Sequence, residues 1–518
     1  MGQPDASRQG TPALGAAALA AAALAAGAFV FHAWALFYAY PPVWPDEALC
    51  AQPAIALARE GVLSTDLLAG VFPGAERRSH LLPPGYYLFL AGVFAPAGAS
   101  VEAMRLASLA AAAGAVGLTW LLGRAAGIGR VGALAAGTLL ALDVVFLRGA
   151  LISRPDMVAS ALMLLTLALA VGGSGPARRA GRGRLFATGL AGGAATVVHP
   201  LGAAALLSVA AGVLAAAPHK RRALAWLAAG AALPLAGWAA YAASDLPVFA
   251  AQFGGQLLRK ASRHPLSGGG LRAGLAIALG QHGMPKLLVA AVWAAGMAGL
   301  IAAARRRRDL LALPLCQALL GAAVAASHEV WYSLYLLPLT CLGLAELVAR
   351  WRRPIRARAV LAAAAACLAA AFAAANVVRA VGLHRQAVAV PAGGAEYAAF
   401  CSRLGEALSP GATVLLCVVP DPYLGLLDRG DVTFRHFLPV GIPVDEEQYG
   451  RWMSRADLVV VGEPACDPRV ERFVGERGVL AAEVDGPGGW RARVYRLAPA
   501  PAPARGRDGA MAAPPAGR

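Results

Sequence analysis

Long apolar segments recur through most of this chain, and they restrict its fold more than any other feature does. A membrane-spanning helix needs roughly 20 mostly apolar residues, and the sequence contains about eleven segments near that length. Inside a bilayer every backbone N–H and C=O group needs a protein partner, and a helix supplies these partners within one segment. The segments therefore predict a polytopic α-helical membrane protein. The predicted spans are residues 12–38, 102–123, 131–147, 150–171, 185–198, 200–217, 223–243, 286–304, 310–326, 331–349 and 357–379.

The charge content agrees with a membrane protein. Only 14% of the 518 residues are charged and 58% are hydrophobic, whereas a soluble protein carries roughly 25% charged residues. The formal net charge is +17, and a strongly basic chain can indicate binding to nucleic acid. Here, however, Lys and Arg form short clusters between apolar segments, which is typical of loops that face anionic lipid. We therefore expect the lipid bilayer, and no nucleic acid, as a partner.

The same clusters predict the orientation, because short loops rich in Lys and Arg stay in the cytoplasm. Residues 1–14 are then cytoplasmic, and the chain after residue 380 lies outside the inner (plasma) membrane of a bacterial cell. The first apolar run is longer than the roughly 7–15 residues of a signal peptide, so we predict an uncleaved anchor. The clusters are Arg124 with Arg130, Arg178–Arg184, Lys220–Arg222, Arg305–Arg308 and Arg350–Arg358.

Two outer segments of the predicted transmembrane domain (residues 15–380) are too long to be simple connections. They cover residues 40–101 and 244–285, and long ordered loops are usually functional. The first contains PPGYYLFLAGVFAPAG, which is short for a span and ends in Pro and Gly. We predict that this piece is a helix lying along the membrane interface.

The tail changes character and predicts a small extracytoplasmic α/β domain over residues 391–498. The short β-branched runs TVLLCVV (413–419) and LVVVG (458–462) predict strands, as do GVLAAEV and ARVYRL. Helical patterns lie between them near 395–408 and 467–476. The Pro/Ala/Gly-rich residues after this domain, 499–518, are predicted to be disordered.

Four cysteines would lie outside the cytoplasm: Cys50, Cys401, Cys417 and Cys466. A disulfide among the last three would suit an oxidising compartment. The spacing does not select a pair, so this question stays open.

Adjacent acids follow the first span directly, Asp46 and Glu47 in YPPVWPDEAL. Ionisable residues beside a membrane are costly, which makes each a functional candidate. Such a pair can direct one acid toward a reacting hydroxyl while the other holds a neighbour or a metal. Alternatively, acids after a proline simply stabilise the first turn of a helix. The sequence leaves both interpretations open.

Further candidates lie at the predicted outer ends of spans. His80 in RRSHLLPPGYY could meet a phosphate, since charge-assisted contacts to phosphate are strong. The segment FLRGALISRPDM could form a structural Arg–Asp pair, HP a helix cap, and WYSLY part of an aromatic belt. These alternatives stay open as well. The candidates for a donor-binding or phosphate-binding site are His80, Arg148, Arg154, Asp156, His199, Tyr332 and Tyr335.

Taken in order, these segments resemble the GT-C superfamily of polyprenyl-phosphate-sugar glycosyltransferases. The nearest groups are the protein O-mannosyltransferases and the aminoarabinose transferase that acts on lipid A. The resemblance covers roughly residues 15–380 and depends on the order and outer placement of several motifs. These are WPDEA, HLLPPGYYLFLAGVF, RLASLAAAAGAVGLTWLLGRAAG, LRGALISRPDMVASALMLL, TVVHPLG and WYSLYLLPL.

The resemblance implies an inverting sugar transfer outside the cytoplasm, from a polyprenyl-phosphate donor to an envelope acceptor that is a lipid, a glycan or a protein. By resemblance, Asp46 is the general base and Glu47 is its companion. Some relatives have Glu-Lys-Pro where this chain has His-Leu-Leu-Pro-Pro, which leaves a divalent metal cofactor and the phosphate contacts open. The residues matched to other family positions are His80 before the prolines, Arg154 and Asp156 in the RPD element, His199 at a later span, and Tyr332 and Tyr335 near the donor phosphate.

Two other classes of function compete with this enzyme. A transporter or flippase would place polar residues near the midplane of discontinuous spans, and a non-catalytic scaffold would leave the candidate residues scattered. Convergence of Asp46, Asp156 and His199 at one place would separate the enzyme from the scaffold. The sequence has no HExxH or GxSxG motif and no Gly-rich nucleotide loop after a strand.

Overall fold

The computed structural model describes residues 12–171, 181–258, 267–329, 331–349, 356–389, 393–437, 450, 452–463 and 467–498. Three sequence predictions therefore lie wholly or mostly outside the described residues: the cytoplasmic N-terminus 1–14, the basic loops around 178 and 350–355, and the disordered tail 499–518.

Helices build the first three quarters of the chain, as the sequence predicts. The first ten of them are α1 (Pro12–Leu36), α2 (Pro45–Glu60), α3 (Gly85–Ala97), α4 (Val101–Ala126), α5 (Arg130–Leu142), α6 (Val144–Leu151), α7 (Pro155–Val171), α8 (Arg182–Val198), α9 (Ala203–Ala216) and α10 (Lys220–Ala243). Further long helices are Gly268–Gly280, Lys286–Ala304, Ala312–Ser327, Leu337–Ala349 and Arg356–Ala389.

Within the described ranges, six helices are long and apolar enough to cross a membrane, or seven if one bent pair counts as a span. Other predicted spans correspond to shorter apolar helices, such as Pro155–Val171 and Pro200–Ala216. The polytopic membrane fold is thus confirmed, whereas the number of eleven spans and the orientation stay predictions. The piece predicted to lie at the interface is a helix, α3.

One predicted span, 131–147, is wrong as a continuous helix. It breaks into α5 and α6 with a bend of 64°. Asp143 at the break has an extended backbone, and its carboxylate accepts a hydrogen bond of 2.9 Å from the backbone N–H of Phe146, which caps α6. An N-cap of this kind begins a new helix, so the polar residue inside the apolar segment decides where the chain turns.

Small residues let some of these helices pack backbone to backbone. A Cβ atom on Gly189 of α8 would lie 1.9 Å from the carbonyl oxygen of Leu227 on α10. A Cβ atom on Gly230 of α10 would lie 2.0 Å from the carbonyl oxygen of Phe186. Only glycine fits at these positions. Small residues permit this close approach of the backbones of membrane helices.

The tail folds into the predicted α/β domain. Its strands are β1 (Thr413–Cys417), β2 (Thr433–His436), β3 (Leu458–Glu463), β4 (Gly478–Asp485) and β5 (Arg491–Leu497). They form one sheet in the order β2-β1-β3-β5-β4. Strand β1 pairs in parallel with β2 and β3, and β5 pairs antiparallel with β3 and β4. The helices Gly394–Ala407 and Pro468–Arg477 lie where the sequence predicts them.

The domain packs against the segment that follows α1 in the membrane domain. The backbone N–H of Asp421 donates to the carbonyl oxygen of Val43 at 2.7 Å, and Arg435 donates to that of Ala69 at 2.8 Å. Cys417 is disulfide-bonded, whereas Cys401 is a free, buried thiol. Cys466, the third cysteine of the open question, lies outside the described residues.

Candidate active site

The first turn of α2 carries both acids that follow the first span. Pro45 occupies the first helical position, where its missing N–H costs nothing, and Asp46 and Glu47 follow it. Acids at this end also interact favourably with the helix dipole. The structural alternative for these residues is therefore correct as far as the backbone goes. The surroundings of the two side chains, however, differ completely.

Glu47 is fully buried and its oxygens are occupied. Arg105 of α4 forms a bidentate ion pair with it, with Nε–Oε1 at 2.9 Å and Nη2–Oε2 at 2.6 Å. The backbone N–H groups of Ser153 and Trp44 donate to the same carboxylate at 3.0 and 2.9 Å. Both charged side chains have 0% exposure. Such charge-assisted bonds are strong and directional, so Glu47 holds its neighbours in place.

Arg105 also forms hydrogen bonds with the segment before Asp46. Its guanidinium donates to the carbonyl oxygens of Pro41 and Pro42 at 3.2 Å, and also to that of Phe37. The turn that delivers Asp46 is thereby tied to α4. Sequence reasoning did not single out Arg105, although an arginine inside an apolar helix is a signal that could have found it.

Asp46, by contrast, keeps 37% of its side chain exposed. Its Oδ2 atom accepts a bond from Nη1 of Arg154 at 2.6 Å. Nε of the same arginine donates to Asp156 Oδ2 at 3.0 Å, and the Tyr335 hydroxyl donates to Asp156 Oδ1 at 3.0 Å. Arg154 lies between α6 and α7, with Asp156 in the first turn of α7. The break between two helices thus brings the RPD element to Asp46.

Aromatic rings complete the group. His199 Nε2 lies 3.2 Å from the Tyr332 hydroxyl, and its ring stacks on Tyr335 with centroids 5.7 Å apart. The guanidinium of Arg148 lies 3.7 Å from the centroid of Trp331, and that of Arg154 lies 5.4 Å from it, both within cation–π distance. Trp331 is a further residue that sequence reasoning missed. These side chains form what we call the rim cluster, which consists of Asp46, Arg148, Arg154, Asp156, His199, Trp331, Tyr332 and Tyr335.

Eight side chains from four separate stretches of the chain therefore converge, which a scaffold with scattered residues would not give. Among the residues that the structure describes, no group of three His, Cys, Asp or Glu side chains is arranged to hold a metal ion.

His80 does not touch the rim cluster in any described contact. Its backbone N–H donates to Gln252 at 2.6 Å, and its ring packs on Tyr241 and Phe249 with centroids 4.5 and 5.6 Å away. Burial lowers the pKa of His80, and the charge of Arg78 lowers it further, although Asp245 opposes both. The ring is thus biased toward its neutral form, which weakens the prediction that it meets a phosphate.

Electrostatics around Asp46 favour a proton acceptor. Burial raises the pKa of Asp46, and Glu329, Asp156 and Glu47 raise it further, while the charge of Arg154 lowers it. The net direction is upward. A carboxylate with a raised pKa accepts a proton more readily near neutral pH.

Comparison with known proteins relates the fold of this chain to solved structures. No family model matches the sequence, and no curated protein matches it. Among solved structures, ArnT from Cupriavidus metallidurans bound to undecaprenyl phosphate superposes with a TM-score of 0.54 at 14% identity, covering 91% of this chain and 97% of that one. ArnT from the same organism in the apo state gives the same TM-score and identity, covering 92% and 98%.

ArnT is a GT-C glycosyltransferase, and the match extends over nearly the whole of both chains. This chain therefore has the GT-C membrane fold, as the sequence resemblance predicts. At 14% identity the likeness is one of fold, because a fold can host many functions and the function has to be argued from the site.

Proposed function

We propose that this protein is a membrane glycosyltransferase that moves a sugar from a polyprenyl-phosphate donor to an envelope acceptor on the extracytoplasmic side. The observation that carries the proposal is the exposed carboxylate of Asp46, held by Arg154 inside the rim cluster. The bound undecaprenyl phosphate in ArnT supports a donor of this chemical class. The proposed reaction inverts the configuration at the anomeric carbon.

Asp46 acts as the general base in this proposal. Arg154 occupies its Oδ2 atom, which leaves Oδ1 for the acceptor. As the acceptor oxygen attacks the anomeric carbon, its proton passes to Asp46, and the bond between that carbon and the phosphate oxygen breaks. The polyprenyl phosphate leaves with the bonding electron pair. One proton thus moves to Asp46, and one C–O bond of the anomeric carbon replaces another.

Arg154 and Arg148 have different electrostatic roles in this proposal. Arg154 already bridges Asp46 and Asp156, which keeps the base oriented. Arg148 lies on the face of Trp331 and forms no ion pair with a described residue, so it is the better candidate to receive the charge of the phosphate. Preorganised cations aimed at developing negative charge commonly supply a large part of catalysis.

The broken helix α5–α6 favours a transporter as the second candidate, since discontinuous spans with polar residues are typical of transporters. At this break, however, the carboxylate of Asp143 already has protein partners. Asp143 lies 3.5 Å from His282 Nδ1 and 3.4 Å from Asn376 Nδ2. These contacts suit a structural anchor better than a transport site.

The decisive experiment is a transfer assay with the full-length protein in proteoliposomes. The donor is a radiolabelled sugar on polyprenyl phosphate, and the acceptors are glycans and glycolipids from a deletion strain. We expect Asp46→Asn to lower transfer about 10²–10⁴-fold, the usual contribution of a general base. Asp66→Asn is the matched control, because Asp66 is an exposed acid of the same outer loop. Full activity of a correctly folded Asp46→Asn protein would remove Asp46 from this role.

A further inference from the structure

A long apolar groove runs along the membrane domain, and no residue of the rim cluster lines it. Helices α1, α4 and α5 line it, and its volume is about 1100 Å³, at the upper end of the roughly 300–1,000 Å³ of ordinary ligand pockets. It extends along α4 from Glu102 to Trp120. At 1.5 Å per residue this is a length of roughly 27 Å, close to the roughly 30 Å thickness of the hydrocarbon core of a bilayer.

Small residues of α4 and α5 help to leave this space open. Ala113, Gly117, Gly137 and Ala141 line it beside larger apolar side chains such as Phe29, Leu106 and Trp120. A Cβ atom on Gly117 would meet nothing within 4 Å. Apart from its outer end, the lining offers almost no partner to a polar group, and a hydrocarbon chain is what such a surface accommodates.

The outer end of the groove opens into a second, polar cavity of about 420 Å³. Tyr38, Glu102 and Gly394 line both spaces, so the two adjoin. The cavity lies between the start of α4 and the tail domain, which contributes Glu406 and Asp428. An apolar groove that ends in a polar cavity has the shape of an amphiphile.

The charges of the cavity select the head group. Three acids line it, and its one arginine, Arg429, is already paired with Asp431 at 2.8 Å. A phosphate would be repelled there. Ser100 and Ser402 add hydroxyl groups beside the carboxylates, a mixture of donors and acceptors that matches the hydroxyl groups of a sugar.

We propose that the groove and the cavity together bind a glycolipid, with one hydrocarbon chain along α4 and an uncharged sugar head against Glu406 and Asp428. This site differs in charge from the rim cluster, whose arginines suit a phosphate. The proposal concerns binding alone and does not depend on the proposed transfer reaction.

The test uses the full-length protein in phosphatidylcholine nanodiscs and two photoreactive probes with identical diazirine-labelled acyl chains. One probe is glucosyl diacylglycerol and the other is phosphatidic acid. We expect the glucosyl probe to label peptides of α1, α4 and α5 in preference to phosphatidic acid. Gly117→Leu should reduce this labelling about tenfold, because a leucine displaces roughly two methylene groups of the chain.

Gly114→Leu is the matched control. Gly114 lies on the same helix, also has open space around its Cβ atom, and is outside the groove lining, so labelling should not change. The double variant Glu406→Gln with Asp428→Asn should remove the preference for the glucosyl head, whereas Glu471→Gln on the far side of the tail domain's sheet should preserve it. Equal labelling by both probes, or labelling unchanged by Gly117→Leu, would mean ordinary surrounding lipid and would overturn the proposal.

Discussion

Asp46 and Glu47 are neighbours in sequence, have nearly the same chemistry, and are each paired with an arginine, yet they occupy opposite environments. The Glu47–Arg105 pair has 0% exposure on both sides. Asp46 is 37% exposed and Arg154 is 14% exposed. Glu47 points into the junction of α2 and α4, whereas Asp46 remains accessible. Burial, rather than residue type, divides one acid that holds the structure from one that can meet a substrate.

A third acid extends the comparison. Asp421 in the tail domain is as buried as Glu47, but the basic side chain beside it is a histidine, with Oδ2 lying 3.2 Å from His436 Nε2. Without an arginine, burial raises the pKa of Asp421 to about 8 and lowers that of His436 to about 3. Burial without a permanent cation thus favours the protonated form of the Asp421 carboxyl group.

The largest effect is expected when the cation beside Glu47 is removed, which tests whether this buried pair is structural. Arg105→Met leaves a buried carboxylate uncompensated, and we expect the free energy of unfolding to fall by about 3–5 kcal/mol. Thermal or denaturant unfolding of the detergent-solubilised protein measures this. Arg491→Met, in an exposed pair with Glu483, is the control and should cost at most about 1 kcal/mol.

The double variant Glu47→Leu with Arg105→Met sharpens this prediction, because replacing both members of a buried pair by apolar residues is often close to neutral. It should be more stable than Arg105→Met alone. If it is less stable, the cost comes from the lost bonds of Arg105 to the proline carbonyls rather than from an isolated charge.

The next effect concerns the partly exposed group around Asp46. Tyr335→Phe removes the hydroxyl that donates to Asp156, a hydrogen bond to a charged group that contributes about 1.5–3 kcal/mol. We expect this loss in unfolding experiments, together with slower sugar transfer because Arg154 is less firmly oriented. Tyr241→Phe provides the control, since its hydroxyl donates to the neutral carbonyl of Ser79 at 3.0 Å and should cost about 0.5–1.5 kcal/mol. Equal losses would contradict a charged acceptor at Asp156.

The acid without an arginine predicts a pH dependence of stability. Between pH 6.5 and about 8 the folded protein keeps a proton on Asp421, while the unfolded chain has Asp421 ionised and His436 neutral. The folded state binds more protons in this window, so stability falls as pH rises through it, by about 2 kcal/mol in total. Asp421→Asn should flatten this slope when unfolding is followed at several pH values. A slope unchanged by the substitution would assign it to other groups.

The smallest effect identifies the titrating base. Glu329 raises the pKa of Asp46 through its negative charge. In Glu329→Gln the acid limb of the transfer rate should therefore move to lower pH, because Asp46 then loses its proton more readily. Glu76→Gln, at an exposed acid elsewhere in the segment between α2 and α3, should leave the limb in place. A limb that moves equally in both variants would not belong to Asp46.

Much of the fold could be predicted from local patterns. The apolar segments become helices, and four of the five strands of the tail were predicted from their β-branched runs. Strand β2 was missed because Thr433–His436 reads Thr-Phe-Arg-His, which is short and contains no run of β-branched residues. The break at Asp143 was missed since the flanking segment is uniformly apolar, and a single side-chain cap outweighs that pattern.

The candidate site was predicted less completely. Residue types at span ends identified Asp46, Arg154, Asp156, His199 and both tyrosines, which do meet. His80 lies elsewhere, because its ring follows the packing of Tyr241 and Phe249 from a distant part of the chain. The roles of all these predicted site residues in sugar transfer stay predictions.

The sequence by itself determined which segments are apolar, where helices and most strands lie, and which ionisable residues stand at their ends, because these properties depend on neighbours in the chain. Only the tertiary structure decided that Glu47 is enclosed by Arg105 while Asp46 stays open, and that α1, α4 and α5 leave a groove between them. Burial and charge pairing depend on residues 58 and 108 positions apart in the chain, and no local pattern carries that information.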